Sequence, residues 1–384
     1  MRYILTRHKK RLNMDMRKTM NDKTDPIVRE FAVSGEPTSI QPYGTGHIND
    51  TYLVRCTGGS YILQRINTNI FRCPELLMEN FRRVTDHIAA KIAEAKKRGD
   101  TRRKETLHLV SNRRDGAPFF RDADGGFWRC YVFVDRAVTY DIIETESQAE
   151  MGAAAFGEFQ SDLADLPGRL NETIPDFHNT PKRLEALKQA IRNDRMGRLK
   201  EVGREVDFML AHEADCSKLL ELQRQGAIIE RITHNDTKLN NVLIDENDGS
   251  GCCVIDLDTT MPGLPHYDFG DMLRTGTSPA AEDERDLSKV GMRFWMFDAL
   301  LRGYLSTAGA FLNRTEKELL PFSGILLTLE TGIRFLTDYL NGDVYFKIHR
   351  PGHNLDRCRT QMQLVKSMEE QMPQMRKRCA ELSR

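Results

Sequence analysis

The chain reads as an α+β protein in two parts, a β-rich first third followed by a longer α-rich remainder. Three observations predict it. Residues 51–134 carry short apolar runs bounded by Gly and Asp turn signals. From about residue 147 onward, apolar residues recur at steps of three and four. The 384 residues, 40% hydrophobic and 29% charged, suffice for two packed lobes and lie far from the composition of disordered, collagenous or disulfide-stapled chains.

TYLVRC (51–56) and SYILQRI (60–66), joined through Thr57-Gly58-Gly59, predict a hairpin. Within 75–98, Leu77, Phe81, Val84, Ile88 and Ile92 form one apolar stripe, and Gly99 ends the helix. Residues 106–111 and 117–121 around Asp115-Gly116, and FWRCYVFV (127–134) after Asp124-Gly125-Gly126, predict further strands. The first lobe, residues 26–135, is therefore expected to be a small antiparallel sheet with one helix. Beyond it, helices are predicted over 147–166, 181–196, 201–224, 284–312, 318–340 and 356–383. One β-like interruption, 228–258, pairs VLID with CCVIDL through the Asp248-Gly249 turn. The change of texture between Asp135 and Asp141 opens a second lobe, 136–384, and makes a cleft the natural place for a ligand.

With 56 Lys and Arg against 56 Asp and Glu, no general field favours nucleic acid or membrane. Residues 1–25 are basic, eight Lys or Arg against three acids, and are expected to form a solvated tail. The eight cysteines show no CxxC pair and no regular spacing, so neither a zinc site nor a disulfide framework is indicated. No run of 18 apolar residues and no apolar leader is present, so the expectation is a cytoplasmic protein, monomeric or a small homo-oligomer.

The most specific feature is His234-Asn235-Asp236-Thr237-Lys238-Leu239-Asn240-Asn241, followed fifteen residues after Asn241 by Asp256. H-x-D-x4-N ahead of an apolar strand ending in Asp is the spacing of a phosphotransferase catalytic loop and its metal ligand. Phosphoryl transfer needs a carboxylate beside the acceptor hydroxyl and oxygen ligands that hold Mg²⁺ on the nucleotide phosphates. Asp258 lies two residues further on, so a strand extending that far would set both carboxylates on one face, about 6 to 7 Å apart.

HNDTKLNNVLID and CVIDLDTTMPGLPHYDFGDMLRTG resemble the aminoglycoside-phosphotransferase and choline-kinase branch of the protein-kinase-like fold, and within it the N-acetylhexosamine 1-kinases. The resemblance continues through YGTGHINDTYLV (43–54), YILQRIN (61–67), PELLMENFRRVTDHI (74–88), WRCYVFVDRAVTYD (128–141), TPKRLEAL (180–187) and RPGHNLDRCRTQMQLV (350–365), with order and spacing kept. It implies a two-lobed kinase-like fold, ATP and Mg²⁺ as cofactors, and a small sugar as acceptor. By the same resemblance Asp236 is the catalytic carboxylate and touches the acceptor. Asn241 and Asp256 are Mg²⁺ ligands, with Asp258 either in the metal shell or on the acceptor, and His234 and Asp268 support the loop.

Gly44-Thr45-Gly46 fits a glycine-rich turn over nucleotide phosphates, with a plain tight turn as the alternative, and His47 beside it would reach sugar or phosphate or lie on the surface. Gln64 departs from the kinase pattern, because it stands where a strand lysine normally holds the phosphates. Either Gln64 binds phosphate by hydrogen bonds, or the strand bulges to deliver Arg65. Glu79, with Glu75 as the alternative, is the expected partner fixing this strand residue. The rivals to a sugar kinase are phosphorylation of an aminoglycoside, choline or homoserine, and a nucleotide-binding pseudoenzyme; the intact set Asp236, Asn241 and Asp256 argues against the last.

Overall fold

The structure, a computed structural model, describes residues 24–44, 48–140 and 142–383. Thr45, Gly46 and His47, and the basic tail up to residue 23, lie outside the described residues. Contacts divide the chain into two units: residues up to Asn67 with Leu109–Phe133, and Thr68–His108 with Val134 onward.

In the first unit α1 (Asp25–Arg29) precedes β1 (Pro37–Pro42), β2 (Asp50–Cys56) and β3 (Gly59–Ile66). With β4 (Phe120–Arg121) and β5 (Phe127–Val132) they form an antiparallel sheet in the order β1-β2-β3-β5-β4. Alternation sends Val54, Tyr61, Leu63, Trp128 and Cys130 to one face, where they pack with Phe31 and Ile40. The hairpin between β2 and β3 turns at Thr57–Gly58, and a Cβ on Gly58 would lie 2.7 Å from the Ser34 carbonyl. Only glycine lets this turn close on Ser34. No strand forms over 106–111; a lone bridge pairs Leu109 with Tyr131. Beyond it, Asn112 and Asp115 side chains accept from the backbone N–H of Arg114 (2.9 Å) and Ala117 (2.9 Å), which favours local turns over a ladder.

In the second unit α2 (Pro74–Lys97) buries the expected stripe of Leu77, Phe81, Val84, Ile88 and Ile92. Expected within the 26–135 lobe, this helix groups by contacts with the helical unit. There Asn80 Nδ2 donates to the carbonyls of Asn171 (2.8 Å) and Thr260 (3.2 Å). The chain continues through β6 (Ala137–Val138), α3 (Glu146–Leu163), α4 (Thr180–Asn193), α5 (Gly203–Ala211) and α6 (Glu213–Arg224). Then come β7 (Arg231–Thr233), β8 (Val242–Asp245), β9 (Gly251–Val254), β10 (Met261–Gly263), α7 (Pro265–Gly276), α8 (Phe294–Ala308), α9 (Arg314–Glu318), α10 (Leu320–Asn341) and α11 (His353–Leu382). Two small sheets, β6-β8-β9 and β10-β7, sit within this unit.

Helix α10 is buried nearly all round and serves as the axis of the helical core. Helices α3 and α8 pack closest at Gly303, where a Cβ would fall 1.9 Å from the Glu150 carbonyl. Two expectations are corrected, and one helix was not expected. The single helix over 201–224 breaks at His212, whose ring takes the Phe208 carbonyl at 2.8 Å. Residues 284–293 are not α-helical, because the Asp286 side chain caps a 3-10 turn by accepting from Ser288 N (3.2 Å). Helix α7, whose residues 265–273 are all buried, had no counterpart in the sequence reading.

Candidate active site

Strand β7 delivers the chain into His234-Asn235-Asp236, and the fold pins this loop from below. Asp268, in the first turn of α7, accepts from the backbone N–H of His234 (2.9 Å) and of Asn235 (2.7 Å). Gln160 of α3 donates to Asp268 at 2.5 Å and itself accepts from the Tyr304 hydroxyl at 2.5 Å. Burial pushes the Asp268 carboxyl up, against the pull of those donors. His234 lies under the loop with Phe156 and Phe159 edge-on to its ring, its Nε2 donating to the Ile255 carbonyl (2.9 Å). Asn235 is held at φ 65°, its side chain donating to the Thr259 carbonyl at 2.8 Å. A non-glycine residue in that region is costly and persists where the surroundings fix it.

This support leaves Asp236 half-buried, facing Lys238 at 3.1 Å. Burial pushes the Asp236 carboxyl up, Lys238, His234 and Arg274 together pull it down, and the balance lies below the ordinary carboxylate range. Asp236 in turn raises the Lys238 ammonium. An ionised carboxylate at the head of a rigid loop can accept a proton from a hydroxyl placed against it.

Asn241 closes the loop by donating from Nδ2 to the Asp236 carbonyl (2.9 Å), and Ile255 N donates to the Asn241 carbonyl (2.9 Å). The pairing Val242↔Val254 therefore sets Asn241 beside the residue preceding Asp256. Asp256 is exposed and left-handed, φ 60°, ψ 54°. This conformation overturns the common face expected for Asp256 and Asp258. Strand β9 ends at Val254, a 3-10 turn follows over Leu257–Thr259, and Asp258 is buried with its carbonyl accepting from Thr173 Oγ1 at 3.0 Å.

Among the described residues no three His, Cys, Asp or Glu side chains converge as a ready-made metal cage. Asn241 and Asp256 are nonetheless hard oxygen donors of the kind Mg²⁺ takes, and that ion usually draws only one or two ligands from protein and the rest from phosphate and water. The donor set fits.

In the sheet unit, Gly44 takes a left-handed φ of 78°. The register through Gln64 and Arg65 is unbroken on both sides of β3, so the alternative of a bulge delivering Arg65 is not met. Arg65 lies over the Trp128 ring at 5.9 Å, on the opposite face from Gln64. Gln64 has partners other than the expected Glu79: its Nε2 donates to Thr51 Oγ1 (3.0 Å), and its Oε1 accepts from Arg129 Nε (2.9 Å) and Nη2 (2.7 Å). Glu79 accepts instead from Asn171 Nδ2 at 3.2 Å.

The sequence reading missed Lys238, Gln160 and Arg129, and also His178 on the wall of a cavity of about 140 Å³ that reaches the loop at Asn235. His178 Nδ1 lies 2.8 Å from Glu330, buried in α10. The cavity's carboxylates are already paired: Glu172 and Glu230 each meet Arg169 at 2.8 Å, and Asp176 meets Lys182 at 2.5 Å.

Residues 39–292 match the model of the phosphotransferase enzyme family, APH, and the chain belongs to that family. It is a phosphotransferase with a protein-kinase-like fold. Among solved structures it is similar to a microcompartment-associated aminopropanol kinase, at 16% identity over 92% of this chain and 97% of that one, with a TM-score of 0.53. An ethanolamine kinase from Plasmodium vivax matches at 15% identity over 84% and 82% of the two chains, TM-score 0.49. A spectinomycin phosphotransferase solved with ADP and spectinomycin matches at 11% identity over 90% and 97%, TM-score 0.49. Among the described residues no helix is long and apolar enough to cross a membrane.

Proposed function

We propose that the protein phosphorylates the anomeric hydroxyl of an N-acetylhexosamine, giving the sugar 1-phosphate with ATP as donor and Mg²⁺ as cofactor. The observation that carries this reading is the run of segments resembling the sugar 1-kinases, kept in order from residue 43 to 365.

Asp236 holds the acceptor hydroxyl and takes its proton as the oxygen bonds to phosphorus. Lys238 keeps that carboxylate ionised. Asn241 and Asp256 would hold Mg²⁺, which when bound neutralises phosphate charge; Asp258, buried in its turn, is assigned to shaping the segment after Asp256. His234 and Asp268 fix the loop. Incubating the protein with ATP, Mg²⁺ and a panel of free N-acetylhexosamines, hexoses, choline, ethanolamine and aminoglycosides, and following ADP release, tests the assignment. Turnover confined to the amines would overturn it.

A further inference from the structure

We propose that His178 is a positioning residue for Asp236: with protons on both ring nitrogens it bridges the Glu330 carboxylate and the Asn235 carbonyl, and so fixes the peptide that leads into the candidate base. The inference rests on the kinase reading above and deepens it by naming a residue that no motif marks.

The peptide between Asn235 and Asp236 is planar, so turning its carbonyl also turns the Cα of Asp236 and re-aims the carboxylate. Histidines meet both of its polar ends. Its N–H, carried by Asp236, points to His234 Nδ1 at 3.3 Å, and its carbonyl oxygen lies 3.4 Å from His178 Nε2. The rest of Asn235 is anchored on other residues, with its N–H on Asp268 (2.7 Å), its Nδ2 on the Thr259 carbonyl (2.8 Å) and its Oδ1 on Thr233 Oγ1 (2.9 Å). The carbonyl is left for His178 to set.

His178 is itself built into place. Its ring packs on those of Phe177 (4.6 Å) and Tyr267 (4.9 Å), and Arg183 Nη2 holds the carbonyls of Asp176 (3.3 Å) and Phe177 (3.0 Å) just before it. Its Nδ1 lies 2.8 Å from Glu330 Oε1, while Glu330 Oε2 accepts from Thr180 Oγ1 at 2.6 Å. Two acceptors, a carboxylate and a carbonyl, thus face the two ring nitrogens, and each calls for an N–H. A ring with a single proton would turn a lone pair on one of them. Nor does Glu330 carry the second proton: burial pushes its carboxyl up, but His178, Thr180 and Arg334 pull it below its ordinary range. Both protons therefore stay on the ring. A buried carboxylate needs such a partner, and a charged donor makes the stronger hydrogen bond to the carbonyl.

Nitrogen NMR of histidine-labelled protein tests the protonation directly. In the wild type His178 should show both ring nitrogens protonated. Glu330→Gln should convert it to a ring protonated on Nε2 alone, because the new amide donates to Nδ1, and that change assigns the signal. A wild-type ring without a proton on Nε2, or a spectrum that Glu330→Gln leaves unchanged, overturns the proposal. Kinetics with ATP and the acceptor turned over in the panel above test the consequence. Glu330→Gln keeps the donor at Asn235 and should change kcat little. His178→Phe loses it and should lower kcat roughly ten- to a hundred-fold, the scale of a misplaced reacting group, with KM for ATP nearly unchanged. If His178→Phe does not fold, because it strands the Glu330 carboxylate, the double variant His178→Phe, Glu330→Gln removes that charge and should show the same loss. Wild-type kcat in folded His178→Phe or in the double variant overturns the assignment. A wild type that turns over no member of the panel would instead overturn the kinase reading, and NMR would still decide the state of His178.

Discussion

Asn241 donates from its Nδ2 to the backbone carbonyl of Asp236 at 2.9 Å, so one hydrogen bond fastens the candidate metal ligand to the candidate base. The amide can do this and still offer its oxygen; a carboxylate at 241 would offer oxygens but no donor. The loop thereby ties the place of the ion to the place of the acceptor. In-line transfer depends on that distance.

Asn241→Asp should therefore lower kcat more than it weakens Mg²⁺, because the ligand charge rises while the bond to the Asp236 carbonyl is lost. Asn241→Ala should weaken both. Titrating Mg²⁺ against initial rate separates the two, and an Asn241→Asp enzyme with wild-type kcat would show that the bond has no role in placing Asp236.

Asp236→Asn should cost roughly 10²-fold or more in kcat, the usual scale of a general base, with nucleotide affinity nearly unchanged. The side chain keeps its size and loses only the ability to take a proton. Single-turnover rates combined with ADP calorimetry check both halves. Retained turnover would remove Asp236 from the chemistry.

How far the sequence carried can be judged residue by residue. Periods of two and of three to four located β2, β3, β5, α2, α3, α10 and α11, because each buries one face or one stripe. The candidate catalytic loop was legible because the proposed chemistry fixes its spacing. The common face of Asp256 and Asp258 is not met because alternation assumes extended backbone, and Asp256 turns left-handed just where the strand would have to continue. Arg129 was invisible for another reason. Its partnership with Gln64 depends on pairing between strands 65 residues apart, which no local pattern encodes. Helix α7 was not read from the sequence, and its polar residues His266, Asp268 and Asp271 are buried along with its apolar ones, which no local pattern shows.

Lys238 bears on the pH dependence. Burial works to raise the Asp236 pKa, and Lys238 is the first influence that offsets it, leaving the carboxyl below its ordinary value. A depressed pKa keeps the base ionised above that value and loses it only as pH falls through it, so the acid limb due to Asp236 should lie below the ordinary carboxylate range in the wild type. Lys238→Met leaves burial unopposed by that charge, and the limb should move upward; Lys238→Arg should restore it. Profiles of kcat/KM for the acceptor from pH 4.5 to 8 decide the point, and coincident profiles for wild type and Lys238→Met would sink it.

Asp268→Ala should destabilise the protein and not only slow it. The change strands the backbone N–H groups of His234 and Asn235 and the Gln160 amide in a fully buried site. Each unpaired group costs about 1–3 kcal/mol. Urea unfolding followed by circular dichroism should show an earlier midpoint, with Asp268→Asn milder because an amide oxygen can still accept. An unchanged midpoint for Asp268→Ala would mean that the loop is held by other contacts.

The acceptor atom gives the sharpest test of the sugar reading. An anomeric hydroxyl is more acidic than other sugar hydroxyls, because the ring oxygen withdraws electron density from the same carbon. It therefore suits Asp236, a base made weaker by its depressed pKa. An ordinary alcohol would demand more of the same carboxylate. Free N-acetylglucosamine or N-acetylgalactosamine should be consumed, while their methyl glycosides, which lack that hydroxyl, should be inert. Phosphorus NMR of the product should show coupling to the anomeric proton. Turnover of the methyl glycosides, or phosphate on the 6-hydroxyl, would keep the family and the fold and overturn the proposed acceptor, since a base of this strength would then be acting on an alcohol that gains nothing from the ring oxygen.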